Sequence, residues 1–266
     1  MVRRLEPAFY EKVWGAHRLA PWFEDTDKKI GEVWFHDREA LPLLLKFIFT
    51  TERLSVQVHP DDDYARQHEN SNGKTEMWHI LRADPGATIA LGFKEPLAPD
   101  RLREASLSGE IEHLLNWVPV QPGETYFVCA GTVHAIGSGI ALAEIQQYSD
   151  VTYRLYDYGR PRELHLEKGF EVSRMNPHPG AAVAVGLGDG LERLVVSPFF
   201  LTDRVTVAGN ERRVERGALG ADAWIAIEGS GLIEGQPFRA GEVFLAEGDV
   251  TISGHGRLLR TAAPAA

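Results

Sequence analysis

The sequence predicts a mainly β protein with a small helical insert and a second small β sandwich or barrel toward its C-terminal end. Three observations predict it. Short β-prone runs punctuated by turn residues fill positions 1–98 and return over 118–160. A broken helical pattern stands between them. From about 181 onward, short strands alternate with Gly-rich turns.

The elements follow in order. Leu44 to Phe49 and Arg53 to Val58 read as strands separated by Thr50-Thr51-Glu52. Asp61 to Asp63 read as a solvated turn. Trp78 to Arg82 and Ala87 to Phe93 read as strands split by Asp84-Pro85-Gly86. Over 99–117, Asp100 suits an N-cap, and Leu102, Ile111, Leu114 and Leu115 keep a helical spacing interrupted at Ser108-Gly109. The turn Gln121-Pro122-Gly123-Glu124 leads into the strand Thr125 to Cys129. Gly137-Ser138-Gly139 leads into Ile140 to Gln146. A bridge containing Pro177, Pro179 and Gly180 precedes the strands Val195 to Leu201, Trp224 to Ile227, Val243 to Ala246 and Val250 to Ile252. Ala262 to Ala266 reads as a loose tail.

Composition narrows the function. A chain of 266 residues allows one large domain or two small ones. With 44% hydrophobic and 25% charged residues it is a folded chain, not a disordered one. The net charge of −10 and the lack of a Lys/Arg stripe argue against nucleic acid. A small phosphorylated substrate needs only one or two local cations and stays open. Cys129 is the single cysteine, so no intrachain disulfide forms. Pro42 and Lys46 break the longest early apolar stretch far short of the roughly 20 residues a membrane helix needs. Arg3-Arg4 is followed by Leu5-Glu6-Pro7 and not by an apolar run, so a cytoplasmic protein is expected.

Two nucleotide-like motifs fail. Gly73-Lys74-Thr75 lacks the P-loop glycine, because His68 stands in its place. Gly186-Leu187-Gly188-Asp189-Gly190 has Leu191 where the third dinucleotide glycine belongs, and reads as a plain β turn.

A possible metal constellation remains. In a strand, residues two apart share a face, so Gln57 and His59 can reach one point. Glu76 and His134 also stand at strand ends. One amide, two imidazoles and one carboxylate would make a mixed N/O site with room for solvent or substrate. That suits catalytic Zn²⁺, and Fe²⁺ or Mn²⁺ would also fit. The competing reading is four unrelated polar residues at strand ends.

The surrounding motifs narrow this. Leu54-Ser55-Val56-Gln57-Val58-His59-Pro60-Asp61-Asp62, Gly73-Lys74-Thr75-Glu76-Met77-Trp78 and Ala130-Gly131-Thr132-Val133-His134-Ala135-Ile136 resemble the signatures of type I mannose-6-phosphate isomerases. So do the run Glu144 to Arg154, the pair Tyr156-Asp157, the segment Arg162 to Lys168, and the early Glu11-Lys12-Val13-Trp14-Gly15 and Gly31-Glu32-Val33-Trp34. The resemblance covers about residues 7–172, and the length is similar to the short bacterial subgroup. It implies two cupin-like β barrels of jelly-roll type with a small helical insert at about 99–117. Residues 1–178 would form the catalytic cupin domain, and 179–266 a smaller degenerate cupin-like domain without metal. It implies one Zn²⁺ per chain on Gln57, His59, Glu76 and His134, and an active-site arginine at Arg154. Where the family usually has Pro, this chain has Cys129, which loosens the turn before His134 without touching a ligand.

The C-terminal zone matches weakly. Pro237 to Phe244 resembles a cupin turn and strand, Thr251 stands where a ligand His would, and His255 is alone. A packing or dimer role is expected there, in a monomer or homodimer.

By resemblance the reaction interconverts mannose 6-phosphate and fructose 6-phosphate, moving a proton between C1 and C2. Arg154 could meet the developing oxyanion or the phosphate. Lys74 could hold phosphate or shuttle a proton. Glu144 is the expected second acid/base or partner of a substrate hydroxyl. Ser55 and Gln146 are expected substrate contacts. The alternatives are a metal-binding cupin sensor of sugar phosphate without turnover, and a cupin oxygenase.

Overall fold

The computed structural model describes residues 1–39, 41–215 and 221–263. The described chain opens with β1 (Val2–Arg4), β2 (Glu6–Ala16), β3 (Ile30–His36), β4 (Leu43–Phe49) and β5 (Val56–Val58). Helix α1 (Asp62–Glu69) precedes β6 (Glu76–Ala83) and β7 (Thr88–Phe93). The insert is α2 (Pro99–Ser108) and α3 (Ile111–Leu114). Then come β8 (Leu115–Pro119), β9 (Thr125–Val128), β10 (His134–Ile136), β11 (Ile140–Gln147), β12 (Tyr153–Tyr156) and α4 (Leu166–Val172). The C-terminal strands are β13 (Val185–Gly188), β14 (Leu191–Val196), β15 (Leu201–Ala208), β16 (Arg212–Val214), β17 (Asp222–Ile233), β18 (Gln236–Arg239), β19 (Val243–Ala246) and β20 (Val250–Ala262).

These strands form three sheets, none closed on itself. One runs β2-β3-β4-β11-β6-β9 and a second runs β12-β5-β10-β7-β8. The third has nine strands, β1-β19-β17-β20-β15-β14-β13, with β16 paired to β20 and β18 to β17.

Alternation sets the layers. In β4, Leu43, Leu45, Phe47 and Phe49 join a core with Phe200, Ile225, Val243 and Leu259 of the nine-stranded sheet. The opposite face places Ile48 among Trp78, Leu91 and Ile136, between the six- and five-stranded sheets. The far face of the five-stranded sheet packs Val56, Val58, Ala90 and Leu155 against Leu102 and Ala105 of α2. The nine-stranded sheet encloses a further core around Trp224, Phe244 and Leu258. A sheet covered on both faces needs near-continuous apolar strands, and β4 is buried at all seven positions. Lys46 is its one charged residue.

Several expectations need correction. Asp61 to Asp63 is not a solvated turn: Asp61 caps α1, accepting from the Tyr64 N–H, and Asp62 and Asp63 fill its first turn. The N-cap of α2 is Ala98 and not Asp100, with Pro99 opening the helix. The helical insert stops at Leu114, because Leu115 to Pro119 pairs with β7. Val195 to Leu201 is not one strand. Ser197 bonds back to Phe200 and closes a turn between β14 and β15. Ala262 is not in a loose tail: it ends β20, paired with Leu201. Residues 264–266 lie outside the described residues. The first strand pairs with β19, so residues 2–4 belong to the C-terminal sheet.

Candidate metal centre and active site

Register brings the candidate residues together. Across the five-stranded sheet, Arg154 of β12 lies opposite Gln57 of β5, which lies opposite His134 of β10. Across the six-stranded sheet, Lys46 of β4 lies opposite Glu144 of β11, which lies opposite Trp78 of β6. Glu76, two residues before Trp78, shares its face. The two rows look at one another across the shared interior.

His59, Glu76 and His134 converge there, each buried, with ligand atoms within 4.8 Å of one another. His59 Nε2 is 3.6 Å from one Glu76 oxygen, and His134 Nε2 is 3.5 Å from the other. Each imidazole is oriented from behind. His59 Nδ1–H donates to the Val151 carbonyl at 2.9 Å, and His134 Nδ1–H to the Thr132 carbonyl at 2.8 Å. A carbonyl accepts only, so both rings carry the proton on Nδ1 and aim the Nε2 lone pair inward. Burial holds His59 far below the usual imidazole range and His134 down to about 4, so both are neutral. Glu76 Oε2 accepts no well-aligned hydrogen bond, although Lys74 Nζ stands 3.1 Å away. Neutral imidazoles, an unsatisfied carboxylate oxygen and an enclosed position are what a divalent cation requires.

The fourth expected ligand is beside them. Gln57 places its amide nitrogen 3.3 Å from His134 Nε2, and its oxygen accepts from Ser55 Oγ at 3.3 Å. Lys74 Nζ also donates to His59 Nε2 at 3.1 Å. Burial drives Glu76 up to about 7 against the pull of Lys74. Burial alone would lower Lys74, but Glu76 and Glu144 more than offset it and raise its ammonium. Glu144 accepts from Trp78 Nε1 at 3.0 Å and lies 3.3 Å from Lys46 Nζ. Burial alone would raise its carboxyl, and Lys46, Lys74 and Trp78 together bring it below the usual value.

A cavity of about 400 Å³ opens onto this cluster through Ser55, Gln57, Lys74 and Glu144. Five cationic side chains line it, Lys12, Lys46, Lys74, Arg154 and Arg162, against three acids, Glu32, Glu144 and Asp150. A local positive excess in a chain of net charge −10 selects an anionic ligand. Arg154 is anchored through Nη1 to the Glu163 carbonyl at 2.7 Å, and its buried Nε has no partner. Asp157 is bonded by Arg162 at 2.6 Å and by Arg160 at 3.2 Å. Gln146 of β11 lies directly opposite Glu76 of β6, and its amide oxygen has no hydrogen-bond partner among the described residues. It is fully buried, and its amide nitrogen bonds the Gln147 and Ser149 carbonyls.

Sequence reasoning passed over Lys46, Glu32 and Lys12. Lys46 carried a usable signal, since a lone charge in a fully apolar strand must have a buried partner. Lys12 and Glu32 stand inside motifs that resemble the family, but only register brings β2 and β3 to the cavity rim. Trp34 lines the same rim, its indole donating to Glu32 at 2.7 Å, and Lys46 Nζ lies 4.4 Å from its ring centre.

Facing antiparallel sheets with two imidazoles and a carboxylate between them define a cupin-type protein with a metal-competent site. No family model matches the chain. It is 42% identical over 177 residues to the mannose-6-phosphate isomerase of Streptococcus mutans, a match covering 64% of this chain and 56% of that protein. The chain thus spans little more than half the length of this relative. It is 30% identical to YvyI of Bacillus subtilis, named provisionally as a mannose-6-phosphate isomerase, over 94% of this chain and 95% of YvyI. The crystal structure of the Bacillus subtilis mannose 6-phosphate isomerase matches with a TM-score of 0.88 at 28% identity, covering 97% of this chain and 98% of that one. The chain belongs to the mannose-6-phosphate isomerase family.

Proposed function

We propose that the protein is a zinc-dependent aldose–ketose isomerase that interconverts mannose 6-phosphate and fructose 6-phosphate. One observation carries the reading: His59 Nε2, His134 Nε2 and the Glu76 carboxylate converge beside a cavity whose lining is cationic. The donor set fits Zn²⁺, with Gln57 as fourth ligand once its amide turns its oxygen inward. Bound there, the ion supplies Lewis-acid polarisation of a sugar oxygen.

The chain's own residues supply the rest. Arg154 and Lys74 receive the phosphate or the negative charge that develops on oxygen. Lys74 is buried against Glu76 yet lines the cavity, so it can pass a proton to a sugar bound there. Glu144 is held ionised and can take a proton or accept from a sugar hydroxyl. Ser55 contacts substrate from the cavity wall. Gln146 holds the turn at 147–149 through its amide nitrogen and offers its partnerless amide oxygen to substrate. The division into a catalytic cupin-like unit over 1–178 and a metal-free one over 179–266 belongs to the same proposal, with residues 2–4 lending a strand to the second unit's sheet. So does a cytoplasmic location. Among the described residues, no helix is long and apolar enough to cross a membrane.

The test is turnover of mannose 6-phosphate, followed by appearance of fructose 6-phosphate. Turnover lost on chelation and restored by Zn²⁺ supports the reading. Tight binding of the sugar phosphate by zinc-loaded protein, with no turnover, would replace it with the sensor reading.

A further inference from the structure

A second cavity, of about 590 Å³, lies at the seam between the six- and nine-stranded sheets. Trp22 forms one wall, fixed by its indole N–H donating to the Ile227 carbonyl at 2.8 Å. Leu81 and Ile227 add apolar surface. Five polar side chains interrupt it, His79, Arg82, Glu228, Arg239 and Arg257. His79 is 2% exposed and bonds Thr125 Oγ1 through Nδ1 at 2.9 Å. Its Nε2 has no protein partner among the described residues, and the residue lines the cavity. Arg82 donates to the Ala20 and Arg18 carbonyls at 2.7 and 3.1 Å and lies 5.5 Å from the Trp22 ring centre. No carboxylate forms an ion pair with it, although Asp84 and Asp25 lie close enough to act on its charge. Arg257, by contrast, is paired with Glu228.

We infer that this seam is a binding site for a small aromatic carboxylate, with its ring against Trp22, its anionic group toward Arg82 and one polar contact to His79 Nε2. The charge argues for an anion, since Arg82 is half-buried and bonded only to neutral oxygens. The walls argue for a flat apolar body, since a sugar phosphate would leave its hydroxyls facing Trp22, Leu81 and Ile227 unpaired. A ligand group at His79 Nε2 would give that nitrogen the partner it lacks among the described residues. Small-molecule sites have this make-up: a mostly apolar cavity of a few hundred Å³ with a few placed polar groups. His79 lies on the face of β6 opposite Glu76 and Trp78, so this ligand stays separate from the metal cluster.

The test uses the full chain and 2-naphthoate as the probe, followed by calorimetry and tryptophan fluorescence. Saturable binding of one naphthoate per chain is expected, unaffected by saturating mannose 6-phosphate. Arg82→Gln should weaken it about tenfold, the value of a hydrogen bond to a charged group. The same variant should leave isomerase turnover unchanged. The neutral 2-naphthalenemethanol should bind the unaltered protein more weakly by a similar factor. Trp22→Phe should remove most of the fluorescence response. Should Arg82→Gln fail to fold, Ala240→Phe, which fills the cavity, replaces it. The acid-against-alcohol comparison needs no variant at all. Three results overturn the inference: no saturable binding at millimolar probe, equal affinity for acid and alcohol, or displacement by mannose 6-phosphate.

Discussion

The interior between the five- and six-stranded sheets holds Lys46, His59, Lys74, Glu76, His134 and Glu144, none more than 5% exposed. The interior of the nine-stranded sheet is built on Val205, Trp224, Phe244, Ile252 and Leu258. Its buried Asp203 is fully paired, with Arg193 on one side and Arg260 on the other. His255 is exposed, and Thr251 gives its backbone N–H to Glu234. The two regions are made of the same antiparallel strands. They differ in what the inward positions carry. In one, buried charges leave unsatisfied atoms, Glu76 Oε2, Glu144 Oε2 and Arg154 Nε, turned toward a common space. In the other, Asp203 is matched by two arginines, and the partnerless atom among the described residues is the neutral Trp224 indole nitrogen. Unsatisfied buried polar groups are costly, so a region that keeps several of them is organised around a ligand.

The largest expected effect separates the regions by activity. His134→Ala removes one converging nitrogen, and turnover should fall by about 10³-fold as several kcal/mol of charge stabilisation are lost. His255→Ala should leave both turnover and bound zinc unchanged. Metal content measured beside the kinetics checks the cause, and zinc retained by inactive His134→Ala would break the comparison.

Stability should not separate them. Removing one partner of a buried ion pair strands the other charge, so Lys46→Met and Asp203→Asn should each cost about 3 kcal/mol in urea unfolding. Only Lys46→Met should also reduce turnover. An inactive but folded Asp203→Asn would show that the nine-stranded region reaches the chemistry.

Arg154→Ala sharpens the point within the active region. Its guanidinium bonds a carbonyl and no carboxylate, so unfolding free energy should change by less than about 1 kcal/mol. Turnover should fall by about 10²-fold, as for loss of one placed donor to developing charge. Full turnover would remove Arg154 from the mechanism.

The smallest effect concerns pH at the seam. Burial, with Arg204 and Arg257 nearby, pushes His79 down to about 3. The unfolded chain binds this proton near pH 6.5 and the folded chain does not, so stability is present above pH 6.5 and drains away as pH falls toward 3. His79→Gln should flatten that part of the stability–pH curve. An unchanged slope would show that His79 is not the group responsible.

The sequence was legible where chemistry is local. Gln57, His59, Glu76 and His134 stand at strand ends inside short motifs, and β7, β11 and β19 carry period-2 or apolar runs between turn residues. It was less legible where meaning depends on register. Lys46 reads as a break in an apolar run until β11 lays Glu144 across from it. The Ser197 to Phe200 turn hides inside an apolar stretch, because Phe200 is a core residue as well as a turn residue. The acids at 61–63 look solvated, yet acids are favoured at a helix N-terminus. Three residues, 2–4, cannot announce that they complete a sheet whose other strands lie more than 180 residues away. The seam cavity joins Trp22, His79 and Ile227, and no motif connects them.

One metal ion, held by the inward residues of one region only, is expected to carry the activity. This is tested by stripping the protein with chelator and titrating Zn²⁺ back while turnover of mannose 6-phosphate is followed. The expected result is no turnover without metal and a linear rise that breaks at one zinc per chain. Full turnover in the stripped protein, or a rise that continues to two zinc per chain, would contradict it.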